Sequence, residues 1–212
     1  MTAGSVTRVK ICGITNWPDA KLAVDLGAAF LGFNLYPKSP RYIQPRAARR
    51  IVQKLPKHVE AVGIFVNEPP ESVVELAEYA KVGFVQLHGE ESPRAVAALA
   101  ELYGVIKAFR VRPGFRTASL AHYADAAAIL LDGFDRAKRG GTGKSFDWRV
   151  ARAAKKYGFV FLAGGLAPEN AAEAIRAAQP FAVDVASGVE SRPGKKDAAK
   201  LRAFFRAVES AQ

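Results

Sequence analysis

The sequence contains a single cysteine, Cys12, among its 212 residues. A disulfide within the chain is therefore excluded, which suits a protein of the reducing cytoplasm. Long hydrophobic runs are missing as well, because every apolar stretch is far shorter than the ~20 residues of a membrane-spanning helix. The first residues, MTAGS, lack the basic and apolar regions of a signal peptide. We therefore expect a cytoplasmic protein that has no membrane partner.

Metal ligands and acidic residues are also scarce. The three histidines are dispersed, and no group of residues has the spacing of a zinc site, so we expect no metal ion. The net charge is +11, and the basic residues within residues 46–54, 149–156 and 195–206 lie mostly at helical spacing, which predicts solvated helix faces. No basic stripe interleaved with aromatic residues and no helix-turn-helix pattern occurs. We therefore expect no nucleic-acid partner and attribute the charge to exposed helices and to attraction for an anionic substrate.

Eight short apolar runs recur along the chain, at residues 9–12, 30–35, 59–66, 84–87, 105–109, 127–131, 159–163 and 181–185. Segments with helical periodicity lie between and after them, at residues 17–26, 45–55, 71–80, 93–102, 148–157, 168–177 and 198–208, with a weaker one at 116–123. This alternation is typical of parallel βαβ units. Eight units of about 26 residues predict an α/β fold, a single-domain (β/α)8 TIM barrel over residues 1–212, rather than an open doubly wound sheet.

Glycines follow two neighbouring strands of the predicted barrel. Gly164 and Gly165 come after the seventh apolar run, and Asp184, Ser187 and Gly188 end or follow the eighth. Glycines allow backbone N–H groups to approach a ligand closely, and the loops after strands seven and eight form the usual phosphate site of this fold. We therefore predict a phosphate site here. The alternative is that the glycines only form tight turns.

Three further side chains follow predicted strands, and each has a structural alternative. Asp132 precedes a glycine-rich, basic loop, residues 133–145, that is suited to covering an anionic ligand, but an aspartate here can also cap a turn or pair with a nearby cation. Arg41 is suited to holding a carboxylate with two parallel hydrogen bonds, unless it is only an exposed loop cation. His88 is either an acid–base group or a hydrogen-bonding residue.

Cys12 ends the first apolar run, directly before a glycine. A lone thiol in such a run is usually a small hydrophobe. At the end of a barrel strand it can instead act as a base, for which its pKa must lie near the working pH. Because a free thiol has a pKa of about 8.5, we expect a modest lowering of the Cys12 pKa. Lys10, two residues earlier, is the nearest cation in the sequence.

Taken together, several strings resemble the phosphoribosylanthranilate isomerase family, barrel enzymes of tryptophan biosynthesis. The strings are VKICGIT, GFNLYPKSPRYI, VGIFVN, VQLHGEE, LLDG with GGTGKSFDW, LAGGLAPEN, and DVASGVE with PGKKD. They occur in the order of the family and extend from Arg8 to about Lys196. Each string is weak evidence by itself, but the set is specific.

The resemblance implies an Amadori rearrangement of N-(5′-phosphoribosyl)anthranilate, an aminoaldose, to an aminoketose. It makes Cys12 the general base that removes the C2′ proton, Asp132 the general acid that protonates the ring oxygen, and Arg41 the ligand of the anthranilate carboxylate. Six further residues are expected to bind the substrate, the last four of them to the phosphate: His88, Asp184, Gly164, Gly165, Ser187 and Gly188. No cofactor is implied, because the substrate carries its own imine.

The sequence departs from the family pattern at one position and leaves other functions open. The family commonly has two serines in the string that reads DVASGVE here, and the first of them is Ala186. One alternative is the related isomerase of histidine biosynthesis, which acts on a bis-phosphorylated aminoaldose with two aspartates, whereas this chain has Cys12 at the first strand end. Another is a noncatalytic barrel that binds nucleic acid or acidic partners through its charge. The charged outer helices favour a monomer over a dimer.

Overall fold

Eight parallel strands close into a barrel in the order in which they follow one another along the chain. The computed structural model describes residues 6–133 and 147–212. The barrel strands are β1 Arg8–Cys12, β2 Phe30–Asn34, β3 Glu60–Phe65, β4 Phe84–Leu87, β5 Gly104–Val111, β6 Ala128–Gly133, β7 Phe159–Ala163 and β8 Ala182–Val185. Strand β1 pairs with β8, with Lys10 opposite Asp184, so the sheet has no free edge. The predicted (β/α)8 fold is confirmed.

Helices alternate with these strands and cover the barrel. They are α1 Trp17–Asp25, α2 Pro45–Val52, α3 Pro70–Ala80, α4 Pro93–Ala100, α5 Arg149–Ala154, α6 Ala171–Ala178 and α7 Ala198–Glu209. Strands β9 Glu190–Arg192 and β10 Lys195–Lys196 form a small antiparallel hairpin between β8 and α7. Among the helices of the described ranges, none has the length and hydropathy needed to cross a membrane.

Capping residues set where several helices begin. Asn16, Ser92 and Asp197 each accept a backbone N–H group from the first turn of α1, α4 and α7. Proline occupies the first turn of α1 to α4, where its missing N–H group needs no partner. These local signals explain why the predicted and observed helix starts agree closely for most helices.

The helix predictions were wrong in detail at three places. The segment between β5 and β6 forms a 3-10 helix, Thr117–Tyr123, rather than an α-helix. The helix predicted from residue 168 begins only at Ala171, because a turn precedes it in which the Asn170 side chain accepts the N–H group of Ala167. Helix α5 begins at Arg149, whose N–H group donates to the Asp147 side chain.

Aromatic side chains fill the amino-terminal end of the barrel. Phe30 and Phe161 contact each other edge to face, with ring centroids 5.1 Å apart, and Phe84 and Phe181 pack against Phe30. Because side chains of a strand alternate between its two faces, residues two positions further along also point into the barrel. The apolar plug therefore lies beneath a layer of side chains at the carboxyl ends of the strands.

A buried ion pair holds the loop after β4 against β5. Nζ of Lys107 lies 2.8 Å from Oε2 of Glu91 and 2.8 Å from the carbonyl oxygen of Gly89. Glu91 also accepts the backbone N–H groups of Gly89 and Asn67. Burial by itself raises the pKa of Glu91, but Lys107 and the N–H group of Asn67 outweigh it, so the pKa lies below its ordinary value. This loop carries His88, and the ion pair thereby fixes one wall of the barrel mouth.

Replacing Glu91 by Gln should lower the free energy of unfolding at neutral pH by about 2–4 kcal/mol, because Lys107 then lies buried without a counter-charge. The folded pKa of Glu91 is depressed, so the ion pair stabilises the protein above the unfolded pKa of 4.5 and this contribution is lost as the pH falls through the folded pKa. Urea unfolding at neutral pH and at about pH 3.5 should therefore give a difference between wild type and variant that shrinks at the lower pH. The exposed Glu75→Gln variant is the control, and an equal difference at both pH values would contradict the prediction.

Candidate active site

A cavity of about 240 Å³ opens at the carboxyl ends of the barrel strands. Every predicted site residue except Gly188 lines it. The loop that was predicted to cover the ligand lies, beyond Gly133, outside the described residues. In residues 6–133 and 147–212, no three His, Cys, Asp or Glu side chains are grouped as a metal ion would require.

Cys12 lies beside a buried lysine. Lys10 is fully buried, and its Nζ is 2.9 Å from Oδ1 of Asp184. Because alternate residues of a strand share a face, Lys10 and Cys12 both face the barrel interior, where they interact electrostatically. The regular pleat of β1 thus places the expected cation next to the thiol. Asp184, which lines the cavity and was predicted to bind substrate, serves as the counter-ion of Lys10.

The thiol of Cys12 is less acidic than expected. Burial raises its pKa above the ordinary value and Asp184 adds to this effect, whereas Lys10 and Lys196 act in the opposite direction without overcoming it. The expectation of a lowered pKa was therefore wrong. Desolvation penalises the thiolate more than the two ammonium groups stabilise it, although both keep the pKa lower than burial alone would.

Lys196, which was predicted on a solvated helix face, is buried in β10. Its Nζ lies 3.0 Å from Oε1 of Glu190 and 2.5 Å from the carbonyl oxygen of Cys12. A third contact, 3.3 Å long, joins it to the carbonyl oxygen of Ala186. Burial lowers the pKa of Lys196, and Glu190 and Cys12 only partly compensate. The prediction of an exposed Lys196 was wrong because the β9–β10 hairpin places this lysine against the carboxyl ends of β1 and β8.

Arg41 forms its two parallel hydrogen bonds with a carboxylate of the protein. Nε and Nη2 lie 2.9 and 2.7 Å from Oε1 and Oε2 of Glu190. Gly13 makes room for the arginine, since a Cβ atom at this residue would lie 2.6 Å from Cδ of Arg41, and its φ of +77° also favours glycine. Within the described part of the chain Nη1 has no hydrogen-bond partner. This edge of the guanidinium is therefore available to a further hydrogen-bond acceptor.

Asp132 contacts His88, which follows β4 and in turn contacts Gln86. Nε2 of His88 lies 3.3 Å from Oδ2 of Asp132, and Nδ1 of His88 lies 2.8 Å from Nε2 of Gln86. Gln86 and His88 are two residues apart, so both side chains face the cavity, which they line. Among the described residues, Asp132 thus pairs with a histidine that follows another strand.

The glycine-rich loops after β7 and β8 touch each other and Asp132. Gly164 has a φ of +85°, and a Cβ atom there would collide with the backbone nitrogen of Gly133 and lie 2.8 Å from Oδ1 of Asp132. A Cβ atom at Gly188 would collide with the carbonyl oxygen of Leu166. Gly188 therefore brings the two loops together, although it does not line the cavity. Gly164, Gly165 and Ser187 from the two loops line the cavity.

Three residues of the site were missed by sequence reasoning, namely Gln86, Glu190 and Lys196. The signal for Gln86 was available, because a residue two positions before His88 on a strand shares its face. Glu190 lies in the string DVASGVE and Lys196 in the string PGKKD. Their neighbours in sequence do not predict that Glu190 contacts Arg41 or that Lys196 contacts the carbonyl oxygen of Cys12. Their partners come from the other end of the chain.

Comparison of the sequence with models of known protein families identifies a family that covers most of the chain. A model described as N-(5'phosphoribosyl)anthranilate (PRA) isomerase matches residues 9–207. An N-(5'-phosphoribosyl)anthranilate isomerase of Trichlorobacter lovleyi is 50% identical over 205 residues, which cover 96% of this chain and 98% of the relative.

Solved structures of the same family have the same fold. A crystal structure of phosphoribosyl anthranilate isomerase in complex with reduced 1-(o-carboxyphenylamino)-1-deoxyribulose 5-phosphate is 43% identical, with a TM-score of 0.86, and the match covers 96% of this chain and 99% of that one. A structure of monomers generated from the dimeric isomerase of Thermotoga maritima is 42% identical, with a TM-score of 0.83 and the same coverage of 96% and 99%.

Replacing Lys10 by Met should raise the pKa of Cys12 further, because it removes one of the two cations that oppose burial. The rate of alkylation of this single cysteine by iodoacetamide, measured against pH, should show a midpoint moved to higher pH. The exposed Lys21→Met variant should leave the midpoint unchanged.

The Lys10→Met variant also leaves Asp184 buried without a counter-charge, which should cost about 3–5 kcal/mol. The double variant Lys10→Met/Asp184→Asn should recover most of that stability and show a midpoint between those of wild type and Lys10→Met. A midpoint that stays constant or falls in Lys10→Met would show that Lys10 does not stabilise the thiolate.

Proposed function

The chain belongs to the N-(5′-phosphoribosyl)anthranilate isomerase family, and we propose that the cavity lined by Cys12 and Asp132 is where its reaction takes place. The chain isomerises N-(5′-phosphoribosyl)anthranilate to 1-(2-carboxyphenylamino)-1-deoxyribulose 5-phosphate in tryptophan biosynthesis. The observation that carries the location is that a thiol from β1 and a carboxyl group from β6 line one cavity with the glycine loops after β7 and β8. An aldose–ketose rearrangement needs one base and one acid in such an arrangement.

The substrate is bound at its two anionic ends in this proposal. Backbone N–H groups at Gly164, Gly165 and Ser187 hold the phosphate, and the free Nη1 edge of Arg41 holds the anthranilate carboxylate. The contacts of Arg41 with Glu190 support this assignment, because they fix the guanidinium at the cavity wall. Ala186 supplies no hydroxyl group, so recognition of the phosphate does not depend on that side chain.

Asp132 acts first, as the general acid. It gives its proton to the furanose ring oxygen while the C1′–O bond breaks and its electron pair goes to that oxygen. The lone pair of the anthranilate nitrogen forms the C1′=N bond of the Schiff base at the same time. The proximity of Asp132 to Gly164 supports this step, because it places the acid next to the loop that is proposed to hold the phosphate end of the sugar.

Cys12 acts second, as the general base. Its thiolate takes the C2′ proton, the electrons of the C2′–H bond form the C1′=C2′ bond, and those of the C1′=N bond return to nitrogen. The resulting enolamine becomes the ketone when the enol proton leaves and C1′ gains a proton. The raised pKa of Cys12 implies that only a minor fraction is thiolate at neutral pH, and Lys10 and Lys196 stabilise that fraction.

The phosphorylated substrate is the ligand for which this cavity is suited, and we propose that the chain works as a monomer, from the charge of its outer helices. The Thermotoga maritima relative is described as dimeric, so the oligomeric state is decided by measuring the mass in solution. A base role also requires that Cys12 stays reduced, which is the reason for placing the protein in the cytoplasm.

Replacing Cys12 by Ser or Asp132 by Asn should each lower kcat by about a hundredfold or more, because each removes one proton-transfer group. The assay follows the decay of anthranilate fluorescence after the protein is added to freshly generated phosphoribosylanthranilate. The exposed Asp125→Asn variant is the control and should keep full activity. Full turnover in either site variant, with an unchanged unfolding midpoint, would remove that residue from the mechanism.

Replacing Arg41 by Met should raise KM by about 10- to 100-fold, because charge-assisted hydrogen bonds to the substrate carboxylate are lost. Lys196 still neutralises Glu190 in this variant, so the fold should persist. The exposed Arg46→Met variant is the control. An aniline analogue of the substrate, which lacks the carboxylate, should bind wild type and Arg41→Met about equally. If the variant loses the same factor with both substrates, Arg41 does not contact the carboxylate.

A further inference from the structure

We propose that Gln86 selects the tautomer of His88 and thereby decides which oxygen of Asp132 carries the proton that is transferred. Gln86 is a positioning residue in this account, since it acts through His88. The inference rests on the acid role proposed above for Asp132. It adds Gln86, a residue that takes no part in the proton transfer itself.

The geometry links the three side chains in a row. Gln86 is 1% exposed, and its amide nitrogen Nε2 lies 2.8 Å from Nδ1 of His88. On the other side of the ring, Nε2 of His88 lies 3.3 Å from Oδ2 of Asp132. The row runs from the end of β4 across the cavity mouth to β6.

The amide decides where the ring proton sits. An amide N–H group can only donate, so Nδ1 of His88 must offer its lone pair, and a neutral ring then carries its proton on Nε2. That proton points at Oδ2 of Asp132. Because Oδ2 already accepts a hydrogen bond, the acid proton of Asp132 belongs on Oδ1, which is the oxygen beside Gly164. The opposite orientation of the amide would put the ring proton on Nδ1 and draw the acid proton to Oδ2, away from that loop.

A buried polar atom without a hydrogen-bond partner indicates that Gln86 contributes to function rather than to stability. Oε1 of Gln86 is buried and has no hydrogen-bond partner in the described part of the chain. Leaving an acceptor in that condition is unfavourable, whereas an apolar side chain of similar size would fill the same space without it. The amide is therefore an energetically unfavourable residue at this buried position, and the one hydrogen bond that its side chain makes in the described part of the chain goes to His88.

The first test reads the tautomer directly in the wild-type protein. The chain has three histidines, and His58 and His122 are exposed, so three imidazole systems are to be assigned with His58→Asn and His122→Asn variants. Nitrogen-15 NMR at about two pH units above the ordinary histidine pKa of ~6.5 distinguishes protonated from unprotonated ring nitrogens. The expected pattern for His88 is an unprotonated Nδ1 and a protonated Nε2. The reverse pattern, or two protonated nitrogens, would overturn the inference.

The second test changes the partner of Nδ1. Gln86→Glu offers a carboxylate, which accepts but does not donate, so Nδ1 of His88 should become protonated under the same conditions. Nε2 then accepts the acid proton of Asp132 on Oδ2, away from Gly164, so kcat should fall by at least about tenfold while KM changes less than twofold. Gln86→Met, which keeps the length and removes the donor, should lower kcat by about three- to tenfold without adding charge to His88.

The controls separate this inference from the proposed function. Gln53→Glu makes the same substitution at an exposed position and should change neither the His88 spectrum nor kcat. An unchanged His88 spectrum in Gln86→Glu, or full kcat in Gln86→Met, contradicts the role of Gln86. Full turnover in Asp132→Asn contradicts the acid role instead, and the tautomer measured in the wild type is independent of that result.

Discussion

The ion pair between Lys10 and Asp184 joins the first and the last strand of the barrel inside its wall. Because the pair is buried, water does not solvate the two charges, and each charge is stabilised by the other. Closure of the barrel at this point places Cys12 next to the loop after β8. Without that closure Lys10 would lack its counter-ion Asp184 and the thiol would not share a cavity with Asp132.

The two proposed proton-transfer groups lie in different electrostatic surroundings. Cys12 has two ammonium groups nearby, which favour the thiolate against the cost of burial. Asp132 has an imidazole as its neighbour, joined to the neutral amide of Gln86. One side of the cavity thus favours a negative charge, and the other side orients a carboxyl group by hydrogen bonds. This difference is what a division between base and acid requires.

Much of the fold could be predicted because its signals are local. Apolar runs of strand length, alternating with helical periodicity, indicated each of the eight strands, and the position of Cys12 and Asp132 at strand ends followed from the barrel rule. The failures were equally specific. Lys196 has the neighbours of an exposed lysine in sequence, yet a hairpin buries it against Glu190. The contact of Arg41 with Glu190 was also not foreseen, whereas its contact with a substrate carboxylate stays a prediction.

The sequence by itself determined the order of strands and helices and the residue types at the strand ends, since both depend on periodicity and on neighbouring residues. Only the tertiary structure decided which of those residues meet. Asp184, Glu190 and Asp132, which contact Lys10, Arg41 and His88 respectively, lie far from them along the chain, and these contacts follow from strand register and barrel closure. The pKa of Cys12 was decided at the same level, because desolvation depends on everything that surrounds the thiol and not on the residues beside it in sequence.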